Sequence, residues 1–405
     1  DRLRSRGLGD VYKRQAEQLP ASQPEVGRIH KYIALAYAAK IKLYQAYQQD
    51  EITHAVTSIN KELLREVVSL CDQVTASNRY GLLDDFQGLD LVTNENGKES
   101  VFAIQYSMND GTESAGRINW SNLLNSPGGG SPYGGDGFFL PSQDLINAYQ
   151  TDANGLPDFN YQSKSDYSWA VLNNGVYTLQ NTTPNVDPRL DFVVGRPTIT
   201  WKTYPDKPCE GWVRDKDTYG YNCAKRFWVS PESSDMFNGW PWGASQLNWQ
   251  IIRYADILLW KAEALIELNE GNGLETARDL INQIRNRARN SAYVKDFNDH
   301  SKYAANYLVN PYPADVWNQD YARQALRWET RLEKALEGER FFDLVRWGIV
   351  ETTMNKYITA ESDNRIYYAN AHFTGGKDEY YPVPNNQYGF SGGKYVQNPG
   401  YAPFN

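Results

Sequence analysis

The chain has 405 residues, 22% of them charged, with a formal net charge of -8 and a mean hydropathy of -0.65. An acidic chain lacks the basic footprint that a phosphate backbone needs, which argues against nucleic acid as a partner, and no apolar run of about 18 residues offers a membrane span. Aromatic residues make up 14%, with Tyr 29 and Trp 12, a content suited to ligands that are part polar and part apolar.

The opening DRLRSRGLGDVYKRQ has no apolar periodicity, and positions 1–27 read as a non-native-looking or disordered leader without a secretory signal. From 28 to 77 the spacing predicts an antiparallel helix pair. Ile33, Tyr37, Leu43, Tyr44 and Tyr47 share one stripe, and Leu63, Leu64, Val67, Val68, Cys71 and Val74 follow a 3.6-residue period. Cys71 is there a small apolar core residue. Residues 78–249 change to turn chemistry, as in GGGSPYGG, DANGLPDF and NTTPNVDPRL, with short runs such as VFAIQY between. Ser142 is placed to cap a short helix in PSQDLINAY. Cys209 and Cys223 flank a Tyr/Trp/Gly-rich loop. A disulfide there would stabilise by roughly 2–4 kcal/mol in an oxidising compartment; two free thiols are the alternative.

Helices return over 250–350. Ile251, Ala255, Leu258, Leu259, Ala262, Leu265 and Ile266 form one face, and Leu274, Ala277, Leu280, Ile281 and Ile284 form a second after NEGNG. Two such pairs point to tetratricopeptide-like repeats. A third block, Ala325, Leu326, Leu332, Ala335 and Leu336, runs into Gly338. In ALEGERFFDLVRWG the residues Glu337, Arg340, Asp343 and Arg346 step three at a time. They read as exposed pairs worth a few tenths of a kcal/mol each, which leaves Phe341, Phe342, Leu344 and Val345 as anchors. Residues 351–405 are rich in proline towards their end and read as an extended wrap, and 28–405 as one domain.

FNGWPWG places Trp240 and Trp242 in a glycine-bounded turn, where large rings are costly to leave in water without a purpose. Trp201, Trp212 and Trp228, with Tyr219 and Tyr221, crowd the same region, and Trp120 sits in a second glycine-rich loop beside Asn119 and Tyr133. A flat ring covers the C–H face of a sugar while neighbouring amides and charges take its hydroxyls. These eight aromatics are therefore the candidate ligand contacts, with packing beneath long loops as the bland alternative. Trp249 and Trp260, on helical patterns, read as core.

Five ordered stretches carry a resemblance: LPSQDLINAYQTDANGLP, DPRLDFVVGRP, RYADILLWKAEAL with INQIRNRA, LRWETRLEKALEGERFFDLVRWG, and YYPVPNNQ with QNPGY. Together they resemble the SusD/RagB family of outer-membrane nutrient-binding lipoproteins, over nearly all of 28–405. The resemblance implies a mostly α fold, with tetratricopeptide-like helix pairs supporting a large loop-rich ligand-binding region. It further implies non-catalytic capture of glycans, or in some members peptides, at the outer face of the outer membrane. Delivery would be to a SusC-type TonB-dependent transporter, and attachment by a lipidated N-terminal cysteine that this chain lacks before Arg28.

Other chemistry is sparse. His30, His54, His300 and His372 are scattered without metal-ligand spacing. Asp152, Asn154 and Asp158 resemble part of a calcium loop but lack its closing bidentate acid, so turn chemistry explains them. Neither a phosphate loop nor a Gly-x-Ser-x-Gly elbow is present, and no cofactor is implied. A glycoside hydrolase would need two carboxylates roughly 5–9.5 Å apart, and the helical acids read instead as solvated faces.

Overall fold

Small and branched apolar residues at helical spacing let the first two helices lie close. In the computed structural model, which describes residues 16–113, 116–125, 127–204, 210–240 and 242–404, α1 (Lys31–Ala46) buries Ala34, Ala38, Ala39 and Leu43. It packs on α2 (Lys61–Thr75), which buries Leu64, Val67, Cys71 and Val74. A short antiparallel hairpin, β1 (Tyr47–Gln49) and β2 (Val56–Ile59), turns the chain between them. Asn60 then starts α2, its Oδ1 accepting from the N–H groups of Glu62 and Leu63 at 3.0 and 3.1 Å.

The region from 78 to 249 carries little regular structure. Strand β3 (Ser100–Ile104) is followed by α3 (Gln143–Ala148), whose N-cap is Ser142 as expected; its Oγ accepts from Leu145 N–H at 3.1 Å. Two-residue strands β4 (Gln150–Thr151) and β7 (Asn185–Val186) pair across a hairpin made of β5 (Trp169–Asn173) and β6 (Val176–Gln180). The hairpin turns at Asn174–Gly175, both at positive φ, the combination a tight two-residue turn requires. The one-turn helix α4 (Arg189–Val193) leads into β8 (Val194–Gly195). After the single turn α5 (Lys216–Tyr219), β8 pairs with β9 (Cys223–Ala224).

The segment WQIIR, read from sequence as the start of a helix, is instead strand β10 (Trp249–Arg253), antiparallel to β3. Adjacent Ile251 and Ile252 fit either period, and pairing to VFAI decides for the strand. Helix α6 (Tyr254–Leu268) follows, ends at Asn269 in a left-handed conformation, and turns into α7 (Gly273–Asn290). Because α6 packs against α2, α7 and α8 (Gln319–Glu333), it is buried nearly all round. Helices α9 (Arg340–Arg346) and α10 (Val350–Ser362) complete the body. Thus the stretch after 350, expected to be extended, begins as helix; beyond it, α11 (Asn385–Phe390) lies in a mostly exposed tail. Among the described residues the strands form only two-stranded antiparallel sheets, so the architecture is mostly α, as the sequence implies.

Several acids on these helices are buried in ion pairs rather than solvated, although others, such as Glu62 and Asp320, do face water. Glu329 and Glu333 on α8 are fully buried, and so is Arg189 of α4, which donates to Glu329 at 2.6 Å and Glu333 at 3.2 Å. Arg253 reaches Glu99, Glu333 and Glu337 at 3.0, 2.7 and 3.0 Å. Arg285 joins Glu329 at 3.1 Å, and Arg287 pairs with both Glu99 and Glu333. Arg226 bridges Asp90 and Glu337 at 3.1 and 3.3 Å. Burial disfavours the Glu333 carboxylate, yet Arg287, Arg253 and Arg189 outweigh it and hold its pKa down at about 2. The expected exposed ladder of α9 is corrected in the same way. Glu337 and Arg346 point inward, the latter to Glu263 on α6, while Phe342 is exposed. This charge lattice clamps the loop-rich region onto α6–α8.

Candidate functional site

Three loops meet over one buried aromatic cluster. Tyr133, from the GGGSPYGG loop, is fully buried with its ring centroid 4.7 Å from Trp228, 6.0 Å from Trp201 and 6.3 Å from Trp212. Its hydroxyl donates to Val229 O at 2.6 Å and accepts from Trp201 Nε1 at 2.9 Å, so both polar ends of the cluster are satisfied. Glycines let the loops above approach this floor. A Cβ on Gly243 would stand 2.7 Å from Trp228 Cζ3, one on Gly134 2.8 Å from Trp242 Cβ, and one on Gly130 2.7 Å from Gly211 O. Buried Asn119 and Asn122 pin the first loop, donating to Leu247 O at 3.0 Å and Phe227 O at 2.6 Å.

On the solvent side of that floor stand Trp240, Trp242 and Trp120, exposed by 64%, 52% and 41%. Trp120 and Trp240 meet edge to face, centroids 5.5 Å apart and planes at 85°. Trp240 and Trp242 line a cavity of about 540 Å³ together with Leu123, Ser131, Asp136 and Arg214. Arg214 Nη2 donates to Gly135 O at 2.9 Å and to Asp136 Oδ1 at 3.0 Å, which fixes a charged pair beside the rings. The arrangement offers apolar ring faces with donors and acceptors at their rim.

The sequence candidates divide. Trp120, Trp240 and Trp242 come together at the surface. Trp201, Trp212 and Trp228 do not: they are 1%, 3% and 2% exposed, so the expectation that their rings meet ligand is corrected. They form the floor because Tyr133, arriving from 68 positions before Trp201, packs against all three. Tyr219 is exposed but tilts against Tyr367, and half-buried Tyr221 packs edge-on to Tyr177 at 5.4 Å, so the two tyrosines belong to other aromatic groups. Cys223 is buried, its Sγ 4.0 Å from Pro127 O, and has no disulfide partner among the described residues; Cys209 lies outside them. Trp260 is core as expected, and Trp249 stacks at 4.6 Å on Phe227.

Sequence reasoning passed over Asp136 and Arg214. Both sit next to glycine-rich or tryptophan-bearing stretches, but their meeting across 78 positions has no local signal. Among the described residues no helix is long and apolar enough to cross a membrane.

No curated protein matches the chain. Solved structures do. A SusD superfamily protein from Bacteroides vulgatus superposes with TM-score 0.61 at 21% identity, covering 94% of this chain and 64% of that one. A SusD homolog from Bacteroides thetaiotaomicron gives TM-score 0.65 at 18% identity, covering 98% and 70%. Surface glycan-binding protein A from Bacteroides uniformis gives 0.55 at 17% identity, covering 97% and 68%. At these identities the likeness is one of fold, and the chain spans roughly two thirds of each neighbour's length. The SusD family profile matches residues 98–401, three quarters of the sequence, and it takes in the aromatic floor, the surface tryptophans and, but for Asp90, the charge lattice: the chain belongs to the SusD family.

Proposed function

We propose that this chain captures glycans at the cell surface without cleaving them, using Trp120, Trp240 and Trp242 as the platform. The observation that carries this reading is the exposure of Trp240 and Trp242 on the wall of one cavity, with exposed Trp120 set edge to face against Trp240 and the Trp240–Trp242 loop resting on a buried aromatic floor. An exposed ring placed on rigid support loses little entropy when a sugar covers it. Each stacking contact contributes on the order of 1 kcal/mol, so three give roughly millimolar to micromolar binding after association costs. Asp136 and Arg214 supply hydrogen bonds to the hydroxyl rim. Asp136 is the sole carboxylate among the described lining residues and is tied to Arg214, which supports capture over hydrolysis.

Family membership and the glycan-binding neighbour support the wider role. In it, residues 28–405 act as one unit at the outer face of the outer membrane. A lipid anchor in the full-length protein holds the unit there, and the ligand passes to a SusC-type TonB-dependent transporter. Calorimetry and affinity electrophoresis against starch, laminarin, xylan and mannan test the reading. Retardation by at least one glycan, lost on replacing Trp240 and Trp242 with Ala, supports it. Binding to none of a broad panel, with peptides binding instead, overturns it in favour of a peptide-capture role.

A further inference from the structure

Away from the tryptophan platform, α3, α8, α9 and α10 enclose a second cavity of about 340 Å³, at the lower end of the ~300–1,000 Å³ of small-molecule pockets. Its polar lining is well partnered except at one point. Arg331 donates to Asp144 Oδ2 at 2.6 Å and to Tyr161 Oη at 2.9 Å. Asp144 Oδ1 accepts from Tyr161 Oη at 2.8 Å and from Gln162 Nε2 at 2.9 Å. Lys334 is held by Asp256 and Glu337, and Asp343 by Arg346 at 2.9 Å. Arg340, at the start of α9, lines the same space. Among the described residues its only hydrogen bond is a long one, Nη1 to Arg327 O at 3.4 Å, and no carboxylate pairs with it.

We propose that this cavity is a binding site for a small carboxylate-bearing molecule, such as an acidic sugar, which Arg340 grips through its guanidinium fork. A guanidinium carries five donors in a plane that matches a carboxylate edge. Leaving most of them unmet in a partly enclosed, mainly apolar space is costly unless an anion arrives. Asp343 and Asp144 favour the Arg340 charge from a distance, but their ion pairs are with Arg346 and Arg331, and neither hydrogen-bonds Arg340. Burial, then the neighbouring Arg331 charge, pushes the Arg340 guanidinium down to about 9, and a bound carboxylate relieves both. Hydroxyls of Ser142, Thr330 and Tyr357 on the surrounding wall each have a protein partner and keep further hydrogen-bonding capacity for the remainder of a sugar ring. The site stands independently of the platform, since its argument uses none of those residues.

The test is calorimetric titration of the whole chain with glucuronate, with glucose as the uncharged control. Saturable glucuronate binding in the roughly millimolar range, with no glucose binding at the same concentrations, is the expected result. Arg340→Met weakens it at least about tenfold and Arg340→Lys less. Thr353→Phe fills the cavity from the α10 wall without changing charge, and it abolishes the heat even if Arg340→Met fails to fold. Glucuronate binding no better than glucose, or binding unchanged in Thr353→Phe, overturns the proposal.

Discussion

Gly243 rests directly on the indole of Trp228, so close that a single methyl would come within 2.7 Å of the ring. The glycine is also at φ +73, where a side chain is strained whatever the space. The loop holding Trp240 and Trp242 therefore takes its height and orientation from a buried residue fifteen positions earlier. Gly243→Ala should lower stability by about 1–3 kcal/mol, from backbone strain and overpacking together. Trp228→Ala should cost about 3–5 kcal/mol by opening a cavity. Chemical denaturation reads both, and a denaturation midpoint unchanged in either variant contradicts the floor-and-platform relationship.

Trp240→Ala and Trp242→Ala should behave in the opposite way. Both rings are more than half exposed, so truncation leaves the unfolding midpoint within about 0.5 kcal/mol of the parent. Glycan affinity should fall roughly fivefold for each, at about 1 kcal/mol per stacking contact. Paired binding and denaturation measurements separate the outcomes; stability loss without loss of binding would make these rings structural.

Glu333 meets three arginines inside the protein, and removing its charge leaves each with one counter-charge fewer in a buried setting. Glu333→Ala should destabilise by about 3–5 kcal/mol. The pH dependence follows from the same contacts. The folded carboxyl titrates at about 2, below its ordinary value near 4.3. Its stabilisation is therefore complete above that ordinary value and is lost as pH falls towards 2. Urea midpoints at pH 6, 4 and 3 should decline steadily in the parent and less steeply in Glu333→Gln.

Glu361 should show the reverse sign. One oxygen accepts from Asp144 N–H, while Oε2 is buried without a hydrogen-bond partner among the described residues. Burial pushes the group up to about 7, so the folded state holds its proton where the unfolded chain has released it. Stability falls as pH rises from about 4.3 to 7. Glu361→Gln should then gain on the order of 1–2 kcal/mol at pH 8 and almost nothing at pH 4. Equal effects at both pH values would show that Glu361 is not carrying a displaced proton.

Periodicity located α1, α2, α6, α7 and α8 because each buries one stripe or nearly its whole surface. Ser142 announced α3 by its side-chain chemistry alone. The β5–β6 hairpin was also written locally, in Asn174–Gly175, though the surrounding loop composition masked it. What could not be read was anything settled at long range. Trp228 and Trp240 both sit in loop sequence, and no local signal shows that Tyr133, 95 positions upstream of Trp228, packs against the first of them. Glu329 looks like any helical acid until Arg189, 140 positions away, is brought against it. Phe342 looked like an anchor because nothing local reveals that α9 turns Arg346 inward instead.

The lattice around Glu333 has a bearing on how the chain assembles. Its members come from the turn before β3, from α4, β10, α7 and α8, and none of them finds a full set of counter-charges until all five have arrived. A half-gathered intermediate would hold bare guanidinium groups in an oily setting, which is less tolerable than leaving them in water. Collapse is thereby biased towards a single concerted event in which the segments that supply these charges arrive together.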